Sequence, residues 1–100
     1  MQLARFLNSV FKNDGFILVD AQSKNYIIGS PKSDKPIKVK ILDKKLYYKL
    51  LLHPDLYFGE AYTNGDIIIE NGSLSEFLDL ALMNFGRNEL NFFSYLINRL

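Results

Sequence analysis

The chain contains no cysteine. Disulfides, thiolate metal sites and a cysteine nucleophile are therefore excluded, and the absence fits a cytoplasmic protein. Tryptophan is also absent, and His53 is the only histidine. A lone histidine beside a proline at the end of a helical pattern reads as a cap or surface residue, and a metal centre needs clustered ligands. No uninterrupted apolar run exceeds five residues, whereas a spanning helix needs about 20. Met1–Phe6 has no compact apolar run before a small-residue cleavage site, so no signal peptide is read. Six glycines occur, but never in the order of a dinucleotide or phosphate-binding loop. No nucleotide or S-adenosylmethionine loop is readable, so no cofactor is expected in this chain.

What is present is enough for a core. The 100 residues are 48% hydrophobic and 14% aromatic. Area scaling buries about 65% of the unfolded surface at this size, and a single domain spanning residues 1–100 is expected. The net charge is +1, but its distribution is uneven. Residues 32–49 hold seven lysines against Asp34 and Asp43, a local excess of five positive charges. Residues 50–100 hold Arg87 and Arg99 against seven acids, the opposite excess. The plain reading is a solvated face; the sharper one is a footprint for an anionic partner. The lysine stripe lacks aromatic partners and arginine is scarce, so nucleic acid is not expected.

Leu3, Phe6, Leu7, Val10 and Phe11 form one helical stripe, closed by Asn13-Asp14-Gly15. Phe16–Asp20 and Tyr26–Gly29 read as a hairpin with a five-residue loop. After a turn fenced by Pro31 and Pro36, Ile37–Ile41 alternates strictly and sends Lys38 and Lys40 to solvent. These three strands predict an antiparallel meander. Asp43 can cap a helix whose apolar face is Leu46, Tyr47, Leu50 and Leu51, stopped by Pro54. A short helical turn is expected around Gly59–Tyr62, then a strand over Asp66–Glu70 and a turn at Asn71-Gly72. Ser73 and Glu76 make a capping box for a helix lined by Leu74, Phe77, Leu78, Ala81 and Phe85. Asn88 opens a last stripe of Phe93, Leu96, Ile97 and Leu100. The chain ends on that stripe, which fits either a docked C-terminal helix or a segment of a longer protein. The order is α+β: a small antiparallel sheet, a three-strand meander plus a later strand, with helices packed on it.

The stretch Pro54–Asp66 draws the eye. Asp55, Glu60 and Asp66 lie near one another in sequence, but three acids around a turn more often cap helices than act as acid and base. Its residues instead carry a resemblance. Pro54-Asp55-Leu56, followed by Gly59-Glu60-Ala61-Tyr62-Thr63-Asn64-Gly65-Asp66, resembles a signature in the N-terminal region of cyclopropane-fatty-acyl-phospholipid synthases. Those are S-adenosylmethionine-dependent methyltransferases acting on unsaturated acyl chains of phospholipids. The likeness spans roughly residues 15–85 and includes the flanking strands and Ile67–Leu74. The chain departs from the family pattern at Thr63-Asn64, where many members have Met-Asp, and at Ile67-Ile68, where many have paired tryptophans.

The resemblance implies an N-terminal accessory domain. Its partner would be a C-terminal methyltransferase domain of the same protein, or alternatively a second subunit in a homodimer. S-adenosylmethionine is implied for that catalytic domain, whose loop and catalytic residues have no counterpart here. Gly59, Glu60, Ala61, Tyr62, Gly65 and Asp66 are then structural or docking residues. Gly65 is expected at positive φ, Glu60 in a hydrogen bond to backbone or a basic side chain, and Phe58 and Tyr62 toward the core or an interface. Lys38, Lys40, Lys44 and Lys45 are the candidates for weak contact with an anionic phospholipid surface, at the inner membrane face. The order of elements is also similar to sterol-carrier-protein-2-like domains, which keeps a stand-alone lipid-binding module as the alternative, alongside a structural or dimerisation domain.

Overall fold

Two glycines set the chain's first turnback. Gly15 and Gly29 face each other at the base of a hairpin between β1 (Gly15–Val19) and β2 (Asn25–Gly29). A Cβ on Gly15 would run into the carbonyl oxygen of Ile28, and Gly29 sits at φ +69°; only glycine fits both demands. The structure, a computed structural model, describes residues 1–85. The remaining elements are α1 (Gln2–Val10), β3 (Lys38–Ile41), α2 (Lys45–Leu52), α3 (Pro54–Asn64), β4 (Ile67–Glu70) and α4 (Leu74–Asn84). The stripe expected from Asn88 lies outside the described residues.

The fold is α+β: among the described residues, four helices pack on a four-stranded sheet of order β2-β1-β3-β4. The antiparallel meander is not what forms. β3 lies beside β1 and runs parallel to it, with Leu18 opposite Val39, while β3 and β4 pair antiparallel. The sheet is therefore mixed. The physical reason lies in β1. Its Phe16-Ile17-Leu18-Val19 run is almost wholly apolar, and four of its five residues are buried; such a strand belongs in the middle of a sheet. A meander would have left it at an edge. Residues 30–37 carry the chain across the start of β1, held by Asp14: its carbonyl accepts from Ser30 N–H at 3.2 Å, and its Oδ1 accepts from Lys32 N–H at 2.9 Å and Gly15 N–H at 2.8 Å.

Alternation sends Phe16, Leu18, Ile28, Val39, Ile41 and Ile67 to one face, where they meet Leu3, Leu46, Leu50, Phe58, Phe77 and Leu78 of the helices. An aromatic file runs through this core: Phe85 to Phe11 at 5.8 Å, Phe11 to Phe16 at 5.0 Å, Phe16 to Phe77 at 5.1 Å and Phe77 to Phe58 at 5.2 Å. Each such pair contributes about 0.5–1.5 kcal/mol beyond area burial. Caps follow the sequence. Asp43 Oδ1 accepts from Lys45 N–H at 2.9 Å. Ser73 Oγ accepts from Glu76 N–H, and Glu76 Oε1 accepts from Ser73 N–H.

Candidate functional site

The motif builds a helix and its stop. A short turn was expected around Gly59–Tyr62; instead α3 runs 11 residues from Pro54 to Asn64. Pro54 does end α2, since the residue before a proline is driven out of the helical region, and His53 sits at φ −143° and ψ 80°. But Pro54 also opens α3 as its first residue, where its missing N–H costs nothing. Gly59 lies in the interior of α3, buried, with Thr63 Oγ1 donating to its carbonyl at 3.0 Å. Read from sequence, an interior glycine looks like punctuation because it costs about 1 kcal/mol against alanine in a helix; burial of Phe58 and Ala61 on either side outweighs that here.

At the other end of α3 the geometry is as expected. Gly65 is left-handed, at φ 81° and ψ 12°. Its N–H donates to Tyr62 O at 3.1 Å, and Asp66 N–H donates to Ala61 O at 2.8 Å. This pair of bonds is a Schellman stop, which satisfies helix carbonyls and turns the chain sharply. Asp66 O then accepts from Leu42 N–H at 2.9 Å, which delivers the chain into β4. Tyr62 is half-buried and stacked on buried Phe58, with centroids 6.4 Å apart. Glu60 departs from expectation: it is exposed, and has no hydrogen-bond or ion-pair partner among the described residues. The reason is its place on the helix: the core side of α3 runs through Phe58 and Ala61, three residues apart, and Glu60 lies on the opposite side. Asp55, Glu60 and Asp66 do not converge; no group of three metal-ligating side chains exists among the described residues.

An apolar cavity of about 50 Å³ lies between sheet and helices, lined by Leu7, Phe11, Pro54, Phe58, Phe77 and Phe85 among others. A cavity of about 150 Å³ holds benzene, so this one holds no acyl chain unless the helices part. The face of the sheet that bears no helix among the described residues carries Ile17, Val19, Ile27, Lys38, Lys40, Ile68 and Glu70, by alternation. Ile27 is 67% exposed, Leu42 50% and Ile68 41%. Lys40 Nζ lies 3.7 Å from Glu70 Oε2. Asp66 shares that face, so the two lysines there are balanced by two acids. Lys44 and Lys45 are exposed at the start of α2 and form no ion pair among the described residues. Lys49 instead lies 5.6 Å from the Tyr57 ring.

Three polar anchors escaped the sequence reading. Asp20, in the β1–β2 loop, accepts from Lys24 N–H and Gln22 N–H at 2.9 Å each, and from the Tyr26 hydroxyl at 3.1 Å. The Lys24 amide chiefly holds its carboxyl below the usual value, against opposing desolvation; desolvation first, then Asp20, pushes the Tyr26 phenol up. Its signal was present, since an aspartate followed by polar residues makes such turns. Asn84 Oδ1 accepts from Lys12 N–H and Asn13 N–H at 2.8 Å, and its Nδ2 donates to Asn13 O at 2.9 Å. Asn8 ties α1 to β2 by accepting from Gly29 N–H at 2.8 Å. Nothing local marks those two, whose partners are 71–72 and 21 residues away.

The fold and the motif thus define a small α+β domain whose signature residues build a helix stop. Neither a protein-family model nor any curated protein matches the chain in sequence. No helix among the described residues is long and apolar enough to cross a membrane.

Proposed function

We propose that this chain is the N-terminal accessory domain of a cyclopropane-fatty-acid-synthase-like, S-adenosylmethionine-dependent methyltransferase acting on phospholipid acyl chains. The observation that carries the reading is the motif itself: the run Gly59 to Asp66 resembles the family signature, and its residues have structural work that explains their types. Gly59 and Ala61 are buried in α3, Gly65 adopts a left-handed φ and Asp66 enters β4. In this reading the domain docks against the catalytic domain, which holds the cofactor, and helps to bring the enzyme to its phospholipid at the inner face of the membrane. Lys44 and Lys45, with exposed Lys32 and Lys35, would supply most of the attraction, because Lys38 and Lys40 share a sheet face with Asp66 and Glu70. The test is the reading frame beyond Leu100, followed by methyl transfer to unsaturated phospholipid by the full-length protein. A frame that continues into a sequence other than a methyltransferase, or a full-length protein inert with S-adenosylmethionine, sinks the proposal.

A second reading, a stand-alone lipid-binding module, draws on the position of the apolar cavity between sheet and helices. Its size speaks against it. Titration with a fluorescent fatty acid separates the two: saturable micromolar binding by this chain alone favours the module.

A further inference from the structure

The two edges of the sheet are finished differently. On β2, Asn8 partly closes the free edge by accepting from Gly29 N–H at 2.8 Å and reaching Ile27 O at 3.4 Å. On β4 nothing comparable exists among the described residues. Leu42 N–H donates to Asp66 O, and the register pairs Lys40 with Ile68 and Lys38 with Glu70. Those alternate residues are the ones bonded to β3, so Ile67 and Ile69 turn their N–H and C=O groups to the free edge. Neither residue has a backbone hydrogen bond on that side among the described residues. The edge also lacks the lysine, proline or bulge with which sheets commonly guard such a row.

We propose that the free edge of β4 docks an extended segment of a partner protein in which basic residues alternate with aliphatic ones. The strand already seated on its other edge shows the pattern β4 selects. In β3, Val39 and Ile41 lie opposite Ile69 and Ile67 over the core, while Lys40 reaches Glu70 at 3.7 Å on the open face. A strand added on the free edge meets the same side chains: aliphatic residues beside Ile67 and Ile69, basic ones beside Asp66 and Glu70. Such addition takes its affinity from backbone bonds and its selectivity from alternate side chains. A second copy of β4 fits poorly, because antiparallel self-pairing centred on Ile68 sets Asp66 against Glu70, and like charges across a pair repel. The inference does not depend on the methyltransferase reading, since its test involves neither lipid nor cofactor.

The test is amide chemical-shift titration of the full 100-residue chain with a blocked peptide copying Pro36–Leu42. Saturable shifts centred on the Ile67 and Ile69 amides are expected, and a peptide with both lysines replaced by glutamate should bind less. Ile69→Pro removes an outward N–H and no β3 ladder bond, so the fold should persist and peptide affinity fall by about tenfold. Should that variant not fold, exposed Glu70→Lys serves instead, with preference switching to the acidic peptide. No shift at millimolar peptide, unchanged binding by either folded variant, or self-association through this edge in sedimentation would each overturn the proposal.

Discussion

Replacing Gly65 with alanine isolates a single backbone term. The residue sits at φ 81°, and a Cβ built there meets no atom within 4 Å. Steric exclusion is therefore absent, and the whole cost is that of holding an L-residue in the left-handed region, about 1–2 kcal/mol. Alanine also narrows the unfolded ensemble, but that gain is realised only where the native φ is compatible. For a domain of this size each kcal/mol lowers the melting temperature by about 4–8 °C. In urea, with a slope of about 1–3 kcal/mol per molar, the midpoint should fall by roughly 0.5–1.5 M with the slope unchanged. The decisive comparison is a series. Alanine and serine should cost the same within about 0.5 kcal/mol, because the Cβ they share meets no neighbour, while asparagine, which tolerates this region, should recover part of the loss. An alanine variant as stable as the parent, or an asparagine no better than alanine, would refute the assignment of Gly65 to a purely conformational role.

Asn84→Ala should destabilise the domain by about 2 kcal/mol, since it frees the Lys12 and Asn13 amides and the Asn13 carbonyl to water; equilibrium urea unfolding measures it. The turn amides hold the Asp20 carboxyl below its ordinary value, so its stabilisation is complete above the unfolded value and is lost as the pH falls through the folded one. Asp20→Asn keeps an acceptor for the amides and should flatten that part of the acid-unfolding curve below about pH 4, read by circular dichroism. Lys44→Glu with Lys45→Glu should leave the melting temperature unchanged or slightly raised, because acids suit a helix start. The same pair should weaken co-sedimentation with anionic vesicles at low salt.

How much of this was legible follows the range of the interactions. The stripe of α1, the Asp43 cap, the Ser73–Glu76 box and the left-handed Gly65 are all written within a few residues, and all four stand in the structure. The sheet order was legible in part: the unbroken apolar run of β1 marked a central strand, but short loops argued for a meander more loudly. What decided it was Asp14 gripping residues 30 and 32 as the chain crosses the start of β1. That grip spans 18 residues at Lys32 and has no periodic signature. Gly59 misled for a different reason. A helix can keep an interior glycine when burial on both sides offsets its entropy, and burial is not visible along the chain.

The same distinction bears on the lysine-rich segment. In sequence, Lys32 through Lys49 form one basic block; folded, the block comes apart. Lys38 and Lys40 lie on the open sheet face with Glu70 and Asp66, and Lys40 is drawn to Glu70. Lys49 lies over Tyr57, and only Lys44 and Lys45 stand exposed side by side at a helix start. Each basic residue near an anionic surface contributes about 1 kcal/mol, and salt screens exposed charges over about 8–10 Å. Those two give about 2 kcal/mol, and Lys32 and Lys35, exposed in the segment that crosses β1, raise that to about 4 where all four face one surface, against about 7 for an undivided block of seven. An attraction of that size does not hold an isolated domain on a bilayer.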